Sequence, residues 1–137
     1  MSARTKARKR AIDLLYAADL RGVPVAELVL AEAMRAAGEP QREASWLYAR
    51  ELVDGVTDHQ TEIDEMIETY STNWPLSRMP VIDRAILRIA VWEILHNDEI
   101  PPAVAIDEAV EHAKQLSTED SAGFVNGLLG RIAASAV

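Results

Sequence analysis

The chain contains no cysteine, which excludes disulfide staples, thiolate metal sites and cysteine nucleophiles together. Aromatic residues make up only 5% of it, so each one matters in any argument about stacking. Phe124 is the single phenylalanine. No apolar run reaches the length needed to cross a bilayer, and no stretch alternates apolar and polar residues as a half-buried strand does. The opening MSARTKARKR passes into an amphipathic pattern without an apolar signal segment, so a cytoplasmic location is expected. At 137 residues the chain reads as one domain, 1–137, large enough for a real core. Within it we expect an N-terminal helical half over about 1–75 and a C-terminal helical half over about 80–137.

What is present is helical periodicity, and it centres on Val81 to Leu95, VIDRAILRIAVWEIL. Its apolar side chains point in nearly every direction when spaced as a helix, which describes a helix buried by neighbours on several sides. The expected fold class is all-α, with this helix at the centre.

The first helix is expected to run to Leu20 and to stop at Gly22-Val23-Pro24, where glycine and proline both oppose continuation. Ala7, Ala11, Leu14, Leu15 and Ala18 form its buried face, and Lys6, Lys9 and Arg10 point away from it. Ile12, Tyr16 and Leu20 form a second stripe, free for another neighbour from this chain or another. Val25, Leu28, Val29 and Met34 mark a second helix closed by Gly38. Pro40 suits the first turn of a third, which carries Trp46, Leu47, Leu52, Val53 and Val56, with Gly55 as a weak point. Ile63, Met66, Ile67 and Tyr70 recur at helical spacing, so the helix continues or restarts near Thr57, and Ser71-Thr72-Asn73-Trp74-Pro75 ends it. A helix from Pro102 buries Ile106, Ala109, Val110, Ala113 and Leu116. The last helix follows a cap in Ser117-Thr118-Glu119-Asp120 and buries Val125, Leu128, Leu129 and Ile132.

Gly123, Gly127 and Gly130 fall inside that last helix, where each glycine costs about 1 kcal/mol relative to alanine. Two readings account for them: tight packing against another helix of the chain, or a surface kept low so that a ligand can lie across it beside Phe124.

The formal net charge is −8, which taken alone argues against nucleic acid. The first ten residues nevertheless hold Arg4, Lys6, Arg8, Lys9 and Arg10 and no carboxylate, leaving a net −13 on the rest. A basic arm on an acidic body suits a surface that meets a polyanion. Such cations neutralise phosphates and make affinity fall with salt. A merely solubilising tail is the plain alternative. Tyr70, at a helix end, and Phe124, in a first turn, are candidate stacking platforms for unpaired bases, whereas Trp46, Trp74 and Trp92 read as core or interface.

Catalysis has little support. His59, His96 and His112 lie on separate segments, none with a metal-ligand partner at i+4. Glu108 and His112 are one turn apart and read as a surface pair. No phosphate-cradling loop follows a strand, because no strand is expected. No enzyme activity and no cofactor are expected.

Four motifs resemble a known family: AIDLLYAAD at Ala11 to Asp19, ELVDGV at Glu51 to Val56, DRAILRIAVWEIL at Asp83 to Leu95, and IPPAVAIDEAVEHAKQLSTEDSAGFVNGLL at Ile100 to Leu129. They are similar to the NusB family of bacterial transcription antitermination factors. The resemblance implies two three-helix bundles joined side by side and a non-enzymatic role. It implies pairing with NusE, a small-subunit ribosomal protein, recognition of the boxA element of nascent RNA, and assembly on RNA polymerase during ribosomal RNA transcription. Carried over by position, Arg4, Lys6 and Arg8 would hold boxA RNA, with Lys9 and Arg10 in the same basic arm, and Tyr70, Asp120 and Phe124 along the same track. Ile12, Tyr16, Leu20 and Asp83 would meet a protein partner, NusE or, through the first helix, a second copy in a homodimer. Two other readings stay open: an RNA-positioning domain like those of ribosomal RNA cytosine methyltransferases, and a helical adaptor without RNA contact. The RNA reading requires the arm and Phe124 to be neighbours on one outer surface.

Overall fold

The computed structural model describes residues 2–37, 39–72 and 74–136, with Pro40 and Gln41 described by their backbone alone. Among them lie seven α-helices: α1 Ala3–Arg21, α2 Val25–Ala36, α3 Pro40–Asp58, α4 Gln60–Tyr70, α5 Val81–His96, α6 Pro102–Leu116 and α7 Glu119–Ser135. A single 3₁₀ turn, Leu76–Arg78, leads into α5. No strand occurs among the described residues, and the all-α expectation holds.

Local chemistry sets the boundaries. Gly22 ends α1 in the left-handed region at φ 68°, a conformation glycine adopts without a Cβ penalty. Thr118 Oγ1 accepts the Ser121 N–H at 3.1 Å and starts α7. Between α3 and α4, the His59 N–H donates to the Gly55 carbonyl, and the His59 carbonyl accepts from the Ile63 N–H. His59 itself, at φ −119° and ψ 18°, leaves the helical region, so α3 ends and α4 starts there. Gly38, expected to close α2, and Asn73, within the expected stop after α4, lie outside the described residues.

The expected central helix is present. Ala85, Ile86, Leu87, Ile89, Ala90, Val91 and Trp92 are all buried; α1, α3, α4, α6 and α7 all pack against α5. α1, α2 and α3 form one bundle on it, and α4, α6 and α7 form the other. The packing thus divides at His59, ahead of the boundary near residue 75, because α4 rests mainly on α5 and α7. Arg88 of α5 ties the two sides. It donates to Asp64 of α4 at 2.9 and 3.1 Å and reaches Asp19 of α1 at 3.4 Å.

Several side chains fall elsewhere than their spacing suggests. Ile12 is buried, sharing a pocket lining with Ile86, Ile89, Ala105 and Ala109, so the second stripe of α1 is taken by the same chain at that point. Met34 is 73% exposed, because α2 docks through a narrow edge centred on Val29 and Ala36, and Leu47 of α3 is 62% exposed. His112 belongs to no surface pair. It is buried, with Nδ1 on the Glu108 backbone carbonyl at 2.9 Å.

Burial holds the His112 imidazole below its ordinary pKa, against the opposing pull of that carbonyl. In the unfolded chain it titrates near ~6.5, so the unfolded state takes up the proton first as pH falls. The stability gained by burying it neutral is complete above about pH 6.5 and is lost progressively below it. Urea midpoints measured between pH 5 and pH 7.5 should fall on the acid side, and His112→Gln should flatten that fall. An identical slope in the variant would contradict the assignment.

The α7 glycines separate the two readings of their spacing. A Cβ on Gly123 or Gly130 would meet nothing within 4 Å, and on Gly127 only the Arg131 guanidinium at 3.4 Å. Packing within the chain therefore does not require them. Gly130→Ala should raise folding stability by up to about 1 kcal/mol, measured by urea denaturation; a loss would mean that the backbone there is not regular helix.

Candidate nucleic-acid interface

The basic arm is part of α1. Ser2 Oγ accepts the Thr5 N–H at 3.0 Å and caps the helix. The Thr5 hydroxyl in turn donates to Glu108 of α6 at 2.7 Å. The cations at Arg4, Lys6, Arg8, Lys9 and Arg10 are therefore carried on a docked helix, and its rotation sorts them.

Arg8 turns inward. Its side chain is 4% exposed and its guanidinium grips Glu93 of α5, with Nε at 3.0 Å and Nη2 at 2.9 Å. A further ion pair runs to Glu108 at 3.4 Å. The Tyr48 hydroxyl of α3 donates to the same Glu93 carboxylate at 2.5 Å, and Asn97 donates to that hydroxyl at 3.2 Å. Burial opposes the Arg8 charge, but the bond to Glu93 and its negative charge outweigh this and hold the pKa above its usual value. Burial, reinforced by Glu93, likewise pushes the Tyr48 phenol up, so it stays a donor. Arg8 is thus withdrawn from any phosphate: the charges around it are already neutralised, and solvent does not reach it. Its role is to fix the start of α1 against α3, α5 and α6.

Lys6 points outward, exposed and without an ion pair among the described residues. Arg4 is also on the surface, 3.2 Å from Glu99 and 5.2 Å above the Tyr48 ring. Exposed pairs of this kind are weak, so Arg4 can exchange Glu99 for another anion. Lys9 pairs with Asp13 one turn on at 2.7 Å. Arg10 leans toward α2, 3.7 Å from Glu32.

The second group of candidates sits on other elements. Phe124 is partly buried, its ring meeting Trp74 edge to face at 4.4 Å. Tyr70 ends α4, and its carbonyl accepts two bonds from Arg131 of α7, at 3.2 and 2.9 Å. Asp120 is exposed in the first turn of α7. Trp74, read from the sequence as core or interface, is half-buried against Phe124, and Arg131 was not singled out. Arg131 lies seven residues after Phe124, two turns along the same helix, a spacing that was available to find it.

The two groups do not touch. Arg8 meets Glu93 near the C-terminal end of α5, whereas Asp64 on Arg88 and Glu62 on His96 make α4 antiparallel to α5 and carry Tyr70 toward its N-terminal end. By helix rise the separation along α5 is on the order of 15 Å. No hydrogen bond, ion pair or ring contact joins the arm to Phe124 among the described residues. The arm and the group of Tyr70, Trp74, Phe124 and Arg131 are therefore separated along α5 and not in contact, so an RNA meeting both would have to span about that distance.

The candidate protein contacts divide as well. Leu20 is 60% exposed and Tyr16 partly buried, so both remain accessible on α1. Ile12 is enclosed. Asp83 is 0% exposed, and neither carboxylate oxygen has a hydrogen-bond partner. Its place in the first turn of α5 turns it into the bundle, so no partner reaches it in this conformation.

The model of the NusB family matches residues 5–134. Among curated relatives, the transcription antitermination protein NusB of Leifsonia xyli subsp. xyli is 68% identical, covering 97% of this chain and 92% of the relative. That of Clavibacter sepedonicus is 62% identical, covering 98% of each. Among solved structures, T. maritima NusB superposes with a TM-score of 0.84 at 33% identity, covering 96% of this chain and 90% of that one. A crystal structure of the antitermination factors NusB and NusE in complex with dsRNA gives 0.82 at 30% identity, covering 98% of each chain. With five helices packed on α5 and near full-length agreement in both sequence and backbone, this chain belongs to the NusB family.

Proposed function

We propose that this protein is a transcription antitermination factor that, together with NusE, binds boxA RNA and joins the antitermination complex on RNA polymerase, without enzymatic activity of its own. The observation that carries the reading is that Lys6 and Arg4 are both exposed on a helix start that Arg8, Glu93 and Glu108 anchor from inside. Cations held in fixed positions meet phosphates without first paying an ordering cost. The likeness to a NusB chain solved with NusE and dsRNA supports the same reading. No helix among the described residues is long and apolar enough to cross a membrane.

Phosphate contacts go to Lys6 and Arg4, and Arg131 extends them beside Phe124, where its partner among the described residues is the neutral Tyr70 carbonyl. Phe124 and Tyr70 are only partly buried, which leaves part of each side chain for a base to meet. The open glycine face of α7 beside Phe124 leaves its backbone accessible. Asp120 sits by that patch and repels phosphate. Tyr16 and Leu20 are the part of the α1 stripe open to NusE.

The test is a fluorescence-anisotropy titration of a boxA oligonucleotide with and without NusE, at two salt concentrations. NusE should raise the affinity. Lys6→Ala should flatten the dependence of affinity on salt by about one phosphate's worth, whereas Phe124→Ala should weaken binding by about 1–3 kcal/mol with the slope unchanged. No gain from NusE, or equal slope changes in the two variants, would favour a helical adaptor without RNA contact.

A further inference from the structure

We propose that His59, Glu62 and His96 form a site for a divalent transition-metal ion of the zinc class. The chain has three histidines. One, His112, is buried against α1 and α5; the other two, from segments far apart in sequence, lie with ring centroids 4.0 Å apart and planes 21° from parallel. Glu62 completes the group, its Oε1 2.5 Å from His96 Nε2. One ligand atom from each residue lies within 4.8 Å of the others.

The backbone presents these three residues firmly. His59 is held on both sides of the α3–α4 bend, Glu62 is in the first turn of α4, and His96 is the last residue of α5. α5 ends here, and its C-terminus carries partial negative charge that favours a cation, while the end of α3 and the start of α4 at His59 offset one another. Two imidazoles and one carboxylate suit zinc, cobalt or nickel, whereas magnesium and calcium prefer oxygen alone. Three protein ligands leave a fourth position for water.

Metal–nitrogen and metal–oxygen distances near 2.0–2.2 Å place tetrahedral ligand atoms about 3.3 Å apart. The cluster must therefore tighten, and the imidazoles must turn out of their stack so that both lone pairs converge. Glu62 and His96 are exposed and His59 partly so, which leaves room for those torsions. The bound ion would clasp the α3–α4 bend to the end of α5. Asn97, which supports Tyr48 and through it the Glu93 network, follows immediately in sequence.

The experiment is a calorimetric titration of the full chain with Zn²⁺, repeated with Co²⁺ and followed by visible absorption. We expect one ion per chain, loss of at least about tenfold in affinity in each of His96→Gln and Glu62→Gln, and no change in Glu111→Gln, a surface carboxylate on α6. The His59 and His96 imidazole NMR signals should shift together on adding Zn²⁺. Circular dichroism of the variants checks that they fold, as their exposure predicts. The proposal is overturned if no binding occurs at tenfold excess of metal, if the two ligand variants bind as the parent does, or if Mg²⁺ competes equally, which would mean simple attraction to an acidic surface.

Discussion

Glu93→Ala is expected to destabilise the fold by about 3–5 kcal/mol, the range for removing one partner of a buried pair. The variant would leave the Arg8 guanidinium enclosed with only the Glu108 contact at 3.4 Å, and the Tyr48 hydroxyl without its acceptor. The cost is that of stranded groups, not the net worth of the pair. Arg8→Met combined with Glu93→Leu should therefore recover most of the loss, since apolar replacements of similar volume are often neutral in such positions. Urea denaturation of both variants checks this. A loss under about 1 kcal/mol for Glu93→Ala would place the pair at the level of an exposed one. The same pair distinguishes anchoring from phosphate binding: Arg8→Ala should lower stability and leave the salt slope of RNA binding unchanged, where Lys6→Ala should do the reverse.

Gly55→Ala is the second large effect, and its sign is decided by competition. Helix propensity alone would make alanine better by about 1 kcal/mol. A Cβ at residue 55, however, would lie 2.2 to 2.7 Å from atoms of the Trp92 indole, far inside the ~3.5–4.0 Å of a relaxed carbon contact. The indole is buried in the core, so it can yield only by displacing its neighbours or by moving α3 and α5 apart. Overpacking of this kind costs typically about 1–3 kcal/mol, occasionally more, and we expect a net loss near the upper end. Trp92→Leu, made in the Gly55→Ala background, should restore part of it, a coupling visible in a double-mutant cycle. Alanine tolerated at residue 55 without loss would mean that the two helices are further apart in solution. Gly130→Ala, the same chemical change on the open face of α7, should act in the opposite direction.

Much of the fold was legible because helix signals are local. The stop at Gly22, the cap at Thr118, the restart beside His59 and the all-round apolar pattern of α5 depend on neighbours within a turn or two. The candidate site was less legible. Arg4, Lys6, Arg8, Lys9 and Arg10 look alike as a charge cluster, yet each residue turns about 100° around α1, and that rotation sends Arg8 into the bundle and Lys6 out. Ile12 and Asp83 were read as available to a partner, and both proved enclosed, Ile12 because α1 is covered from a second side. The open face at Gly123 and Gly130 could be decided only once no helix was found against it.

By itself the sequence determined which segments are helical, where they stop, that α5 lies at the centre, and through its motifs the family. Only the tertiary structure decided which cation is a strut and which faces solvent, that Gly55 makes room for Trp92, and that Phe124 stands apart from the arm. The physical reason is range. Helix propensity and capping act within a few residues, whereas Arg8 finds Glu93 across 85 positions of chain, a pairing set by how whole helices pack.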